Sequence, residues 1–95
     1  MLSGRLKGFE KFTDSGVYVV NNHHLMILDN KEEYLFSIPE KTPFIFLERL
    51  KERMKIFFFH REEVFIKIYF EGKVGFVSDL LLGDWSKELD IVRVA

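Results

Sequence analysis

The chain has 95 residues, with 14 basic and 15 acidic side chains and a net charge of −1 at pH 7. This length suits one domain with one core, and the neutral balance excludes the strong positive field of a non-specific nucleic-acid binder. Hydrophobic residues make up 47% of the chain and charged residues 31%, which is typical of a globular protein. We therefore expect a single domain over residues 1–95.

Four short strands are predicted in the first half of the chain. The stretch GRLKGFEKF alternates apolar and polar residues, GVYVV is β-branched, HLMIL follows the turn NNH, and YLFSI follows the polar turn DNKEE. Pro39 ends the last of them. The predicted strands cover residues 4–12, 16–20, 24–28 and 34–38.

The next stretch, TPFIFLERLKERM, predicts a helix over residues 42–54. Thr42 is placed as its N-cap and Pro43 as its first helical residue. The apolar residues of the stretch are three or four positions apart, as a helix requires: Phe44, Leu47, Leu50 and Met54.

The second half predicts strands again, in KIFFFH, VFIKIYF, KVGFV and DIVRV, with turns at REE and EG. We expect Gly72 to form the second turn, Gly75 to mark a bulge or a close approach of backbone, and Phe76 to be a core ring. The predicted fold is mainly β: a small, strongly bent antiparallel barrel of about six to eight short strands, plus one helix near residues 42–54. The strands of this half cover residues 55–60, 64–70, 73–77 and 90–94.

Catalytic and cofactor motifs are not found in the sequence. The six glycines form neither GxGxxG nor a Walker motif, and without cysteine there is no thiolate ligand or nucleophile. His23 and His24 are adjacent, which would place them on opposite sides of a strand, and the paired glutamates at 32–33 and 62–63 fall in predicted solvated turns. We expect no enzyme activity, no metal and no cofactor. A hydrolase would require His60 to approach Asp79 or Asp84.

The location and the mode of action follow from what remains. No apolar run reaches the about 18 residues of a membrane span, and the N-terminal stretch is not a signal peptide, so a cytoplasmic protein is predicted. Abundant lysine and glutamate without glutamine are typical of heat-adapted proteins. The aromatic content of 16% is high for a small core, and it most simply indicates a core built from phenylalanine in place of leucine. Rings that remain once the core is full would line a partner or subunit interface, which predicts a binding or adaptor module with a protein partner or a homo-oligomer. The candidate partner-binding residues are Tyr18, Tyr69 and Trp85.

An alternative is contact with nucleic acid through the densest basic run of the chain. In a helix these residues interleave with glutamates and form a solvated face, which is the favoured interpretation, whereas in a strand they would share one face. RNA binding is the alternative function. Its candidate residues are Lys31, Arg49, Lys51, Arg53 and Lys55.

Two resemblances to known families accompany this interpretation. Over residues 34–82 the stretch VFIKIYFEGKVGFVSDLLL resembles the closing strands of a bacterial Src-homology-three-like small barrel, with phenylalanine at positions 65 and 76 where that family usually has tryptophan. Over residues 4–39, GRLKGFEKF and YLFSIP resemble the Sm/Hfq-like strand set. The first resemblance implies a binding module, and the second implies a ring that binds RNA.

Overall fold

The computed structural model describes residues 8–56, 59–83 and 85–95. Within these ranges, the side chains of residues 8, 52–62 and 85 are not described. Its seven strands are all antiparallel and form one sheet in the order β3-β2-β6-β5-β4-β1-β7, which curls into a half-barrel. The mainly β prediction is confirmed. In chain order the elements are a 3₁₀ helix Gly8–Lys11, β1 Gly16–Val20, β2 Leu25–Leu28, β3 Tyr34–Ile38, β4 Phe44–Ile56, β5 Phe59–Phe70, β6 Lys73–Ser78, α1 Asp79–Leu82, α2 Trp85–Glu88 and β7 Ile91–Arg93.

Glycine sets the geometry of the β5–β6 hairpin at two positions. Phe70 pairs with Lys73, so the loop has two residues, Glu71 with φ 49° and Gly72 with φ 81°. Positive φ at both positions is the geometry of the tight turns that match strand twist. A Cβ on Gly75 would lie 2.2 Å from Ile27 Cγ2 on the neighbouring strand β2. The predicted turn at Gly72 and close approach at Gly75 are confirmed.

One face of the sheet, which we call the core face, carries most of the buried residues. Aromatic rings dominate its centre: the Phe12 ring lies 4.9 Å from the Tyr18 ring and 5.0 Å from the Phe46 ring. The 3₁₀ helix contributes Phe9 to this cluster, Phe12 follows directly after the helix, and residues on six strands complete it. The strand residues of the cluster are Tyr18, Val20, Leu25, Ile27, Ile38, Phe44, Phe46, Ile66, Ile68 and Val77, and Leu89 joins them after α2.

The predicted helix over 42–54 is wrong, because residues 44–56 form strand β4. Every residue from Glu48 to Ile56 has a partner on β5. The helix-like spacing of the apolar residues has a local cause: Phe46 pairs with Ile68 and Glu48 with Lys67, so Leu47 is an extra residue that breaks the two-residue alternation. A bulge in a strand can therefore produce the three- and four-residue spacing of apolar residues that is typical of a helix.

Two further boundaries differ from the prediction. Residues 8–11 form a 3₁₀ helix and not a strand, while residues 4–7 lie outside the described residues. The β4–β5 reversal falls between residues 56 and 59, so the predicted REE turn lies inside β5. Glu63 is consequently buried, at 4% exposure, and accepts a hydrogen bond from the buried Ser78 Oγ. A polar triplet can continue a strand when a buried partner satisfies it.

Candidate functional site

Strand alternation assigns every residue of β5 to one of two faces. Ile66 and Ile68 lie on the core face, so Phe65, Lys67 and Tyr69 lie on the opposite face, which we call the outer face. Antiparallel partners share a face, so the pairing register of β5 with β4 and β6 extends this assignment to the neighbouring strands. The outer face carries several of the exposed apolar side chains of the sheet.

An apolar row crosses four strands of the outer face in direct register. Val17 of β1 pairs with Ile45 of β4, Ile45 pairs with Tyr69 of β5, and Tyr69 pairs with Val74 of β6. Leu47 bulges beside this row, and we refer to these five residues as the outer apolar row. Cross-strand neighbours of this kind are in van der Waals reach, so the row is one continuous surface.

The outer apolar row is partly accessible to solvent. Ile45 is 36% exposed, Leu47 37%, Tyr69 40% and Val74 47%, and Val92 on β7 adds a further side chain that is 40% exposed. A contiguous group of exposed apolar side chains with charged residues at its border is a candidate interaction site.

The border of the row carries charges of both signs. On one side Lys67 Nζ lies 4.0 Å from Glu48 Oε2, and these two residues are direct cross-strand partners. Glu71 stands in the turn beyond Tyr69 and Val74. Because the lysine is already offset by a glutamate, the border lacks the positive field that would favour an anionic partner.

The three aromatic residues predicted to bind a partner have separate locations. Tyr69 is in the centre of the outer apolar row, in agreement with an exposed position. Tyr18 is 1% exposed on the core face, and its hydroxyl donates to the Asp14 carbonyl at 2.8 Å, so its predicted place at the surface is wrong. Its hydroxyl is satisfied inside the protein, which allows a tyrosine to be fully buried. Trp85 begins α2, and its side chain lies outside the described residues.

The basic residues predicted to contact nucleic acid do not form one surface. As members of a strand, positions 49, 51, 53 and 55 share one side of β4, but Arg49 Nη1 donates to the carbonyls of Phe9 and Phe12 at 3.1 and 3.3 Å. Lys51 is exposed, and the side chains of Arg53 and Lys55 lie outside the described residues. Lys31 is in the β2–β3 turn, where its backbone N–H donates to Asp29 Oδ1. That turn lines a cleft on the outer face, whereas Arg49 faces the core side.

A cleft of about 200 Å³ lies beside the outer apolar row. Its floor consists of apolar side chains from the three central strands, and its rim comes from the β2–β3 turn. Phe76 belongs to this floor and not to the core cluster, so its predicted place as a core ring is wrong. The residues that line the cleft are Asp29, Asn30, Glu32, Leu50, Phe65 and Phe76.

Groups that could support catalysis are not brought together among the described residues. His23 and His24 stack with ring centroids 4.6 Å apart in the loop before β2, and so are not on opposite sides of a strand. The side chain of His60 and the whole of Asp84 lie outside the described residues, while Asp79 Oδ1 accepts from the Val64 N–H. Within residues 8–56, 59–83 and 85–95 no group of three or more metal-ligating side chains occurs.

The chain shows no significant similarity to known proteins. A scan against protein-family models finds no match, and searches of curated proteins and of solved structures find no significant similarity. The resemblances to Src-homology-three-like and Sm/Hfq-like barrels therefore stay predictions. In the part of the chain that the structure describes, no helix has the length and apolar character to cross a bilayer.

The outer apolar row was mostly missed from the sequence, although a signal for it exists. In IKIYF the residues Lys67 and Tyr69 alternate with Ile66 and Ile68, which places them on the side away from the core. The prediction of a helix over 42–54 hid Ile45 and Leu47, since helical positions have no register with β5.

Proposed function

We propose that the protein is a non-catalytic binding module that associates with a second copy of itself through the outer apolar row. The observation that carries this proposal is the direct register of Val17, Ile45, Tyr69 and Val74 across four strands. Burying such a row removes apolar surface from water without separating any buried polar group from its partner.

A second copy is the occupant that the border of the row favours. In a two-fold dimer the same patch meets itself, so Lys67 of one copy can be placed near Glu48 of the other, and the reverse contact forms at the same time. Protein–protein interfaces typically have apolar residues in the centre and polar or charged residues at the border, as this surface does. A nucleic acid would gain no electrostatic attraction from it.

The size of the row sets the expected strength of association. A standard stable interface buries about 800 Å² on each partner, which is more than five partly exposed side chains supply. We therefore expect a reversible dimer that dissociates in the micromolar range or weaker, and not an obligate one.

Sedimentation velocity from micromolar to millimolar concentration tests the proposal. The double variant Ile45→Thr/Tyr69→Thr keeps β-branched or β-compatible residues but makes the centre of the row polar, and it should remain monomeric where the natural sequence dimerises. Leu35→Thr is the matched control, because Leu35 is 44% exposed on β3, outside the row. A natural chain that is monomeric at every concentration would contradict the proposal, and so would loss of the dimer in the Leu35→Thr control.

Nucleic-acid binding is the second candidate, because a strand and not a helix contains the basic run. The outer part of the β4–β5 hairpin extends beyond the neighbouring strands. It consists of residues 51–56 paired with residues 59–64, whereas β1 pairs only with residues 44–46 of β4 and β6 only with residues 65–70 of β5. A two-stranded ribbon of this kind can enter a major groove. Fluorescence anisotropy with labelled RNA and duplex DNA at several salt concentrations tests it. Binding that weakens steeply with salt and is lost in Lys51→Glu would support this candidate, and no binding at low salt would exclude it.

A further inference from the structure

The cleft on the outer face has a rigid apolar floor. Leu50 and Phe65 are direct cross-strand partners on β4 and β5, and Phe76 on β6 is the partner of Lys67, the next outer-face residue after Phe65. The two rings are therefore diagonal neighbours on adjacent strands. Phe65 is only 7% exposed, so its position is fixed by packing.

The rim of the cleft is a turn that its own hydrogen bonds hold in place. Asp29 Oδ1 accepts from the backbone N–H groups of Lys31 at 2.8 Å and Glu33 at 2.9 Å, and the Asp29 N–H donates to the Glu33 carbonyl at 2.8 Å. Glu32 adopts a left-handed backbone with φ 63° inside this turn. The turn thus presents two carboxylates, Asp29 and Glu32, to the rim over the aromatic floor.

These two parts of the cleft have complementary chemistry. Aromatic faces attract cations, and a carboxylate beside them adds a charge-assisted hydrogen bond. An anion would be repelled by both carboxylates. A wholly apolar ligand would displace the water bound to the carboxylates and would offer no hydrogen bonds in its place. Lys31 in the same turn acts electrostatically on Asp29 alone, and Lys67 on the outer face is paired with Glu48, so Glu32 is the rim carboxylate that neither cation offsets.

We propose that the cleft binds a guanidinium or ammonium group on an aliphatic stem, with the stem on Leu50, Phe65 and Phe76 and the charge at Asp29 and Glu32. A volume of about 200 Å³ suits one side chain and is smaller than the sites of drug-sized ligands, which begin at about 300 Å³. The same chemistry occurs in arginine or lysine side chains of a peptide and in free aliphatic amines. The site does not depend on self-association, because none of its described lining residues belongs to the outer apolar row.

The experiment is a titration followed by two-dimensional ¹H–¹⁵N and aromatic ¹H–¹³C NMR. The probes are N-acetyl-arginine amide, N-acetyl-lysine amide and cadaverine, and N-acetyl-citrulline amide is the neutral analogue of the arginine probe. We expect the cationic probes to shift the resonances of Phe65, Phe76 and the β2–β3 turn, and the citrulline probe to bind at least about threefold more weakly. Preference for the amides over cadaverine would identify a peptide side chain as the source, and the opposite order would identify a free amine.

Variants separate the cleft from a general charge effect. Glu32→Gln should weaken binding of the cationic probes by about three- to tenfold, and Phe76→Leu by about two- to fivefold. Glu33→Gln is the matched control, since it removes the same charge from the same turn at a residue that does not line the cleft. Dispersed amide spectra would show that each variant is folded.

Three results would overturn the proposal. They are no shift at these residues with any cationic probe, equal binding of the citrulline probe, and equal weakening by Glu33→Gln and Glu32→Gln. Repeating the titration with Ile45→Thr/Tyr69→Thr should leave the affinity unchanged. That comparison distinguishes failure of the cleft from failure of the dimer.

Discussion

Replacing Gly75 with alanine is expected to be among the most destabilising single-methyl changes in the sheet. The new Cβ would lie 2.2 Å from Ile27 Cγ2 and 3.2 Å from the Leu28 carbonyl oxygen, whereas carbon atoms pack at about 3.5–4.0 Å. The neighbour cannot easily give way, since Ile27 is fully buried and β6 lies between β2 and β5. Overpacking of this kind costs about 1–3 kcal/mol, and we expect a value near the upper end.

Thermal unfolding followed by circular dichroism measures this effect. In a domain of this size 1 kcal/mol corresponds to a shift of about 4–8 °C, so Gly75→Ala should lower the Tm by about 10–20 °C. Ile27→Leu moves the branch of the side chain away from Cβ and removes the clashing methyl group. The double variant Gly75→Ala/Ile27→Leu should therefore be more stable than the sum of the single effects predicts, with a coupling of about 1 kcal/mol or more.

Gly72→Ala is the control for the backbone. Its φ of 81° disfavours alanine by about 1–2 kcal/mol, but no atom lies within 4 Å of the added Cβ, so it should show no coupling with Ile27→Leu. If Gly75→Ala proved no more harmful than Gly72→Ala, or were additive with Ile27→Leu, the close approach of β2 and β6 could not be the reason for glycine at this position.

Two further predictions concern Tyr18 and Asp29. Tyr18→Phe should cost about 0.5–1.5 kcal/mol of unfolding free energy in urea, because it removes the hydrogen bonds of the Tyr18 hydroxyl with the Asp14 carbonyl and the Thr13 N–H, and it should leave sedimentation unchanged; an unaltered urea midpoint would refute this. Hydrogen bonds from the backbone N–H groups of Glu33 and Lys31 lower the pKa of Asp29 below its ordinary value of 3.8 in the folded protein. The ionised carboxylate therefore stabilises the folded state above pH 3.8, and this stabilisation is lost as the pH falls through the folded-state pKa. The stability difference between the natural chain and Asp29→Asn should be constant near neutral pH and shrink below pH 3.8 in acid titrations, and a constant difference throughout would contradict it.

Strands with a simple local pattern could be predicted from the sequence. GVYVV and YLFSI were placed at the bounds of β1 and β3, because β-branched and aromatic runs between turn residues have few other solutions. The β5–β6 hairpin was recognisable for the same reason, since Glu71 and Gly72 separate two alternating runs.

The candidate site was less predictable because it depends on pairing between distant strands. The bulge at Leu47 gave β4 a helical spacing, and only its pairing with β5 reveals Ile45 as the neighbour of Tyr69. Tyr18 and Tyr69 are chemically equal in the sequence, yet one finds its hydroxyl partner at Asp14 inside the core while the other faces solvent. Local patterns do not contain such long-range register.

The pairing of β1 with β7 has a consequence for how the protein folds during synthesis. Tyr18 pairs with Arg93 and Val20 with Ile91, so one side of an early strand stays open until the last strand has emerged from the ribosome. Contacts of such high sequence separation slow folding, because the loop between them must close before they contribute energy. The β4–β6 meander can form first, because its strands are neighbours in the sequence. Until β7 pairs with it, β1 has one edge whose backbone hydrogen-bonding groups are available to other chains.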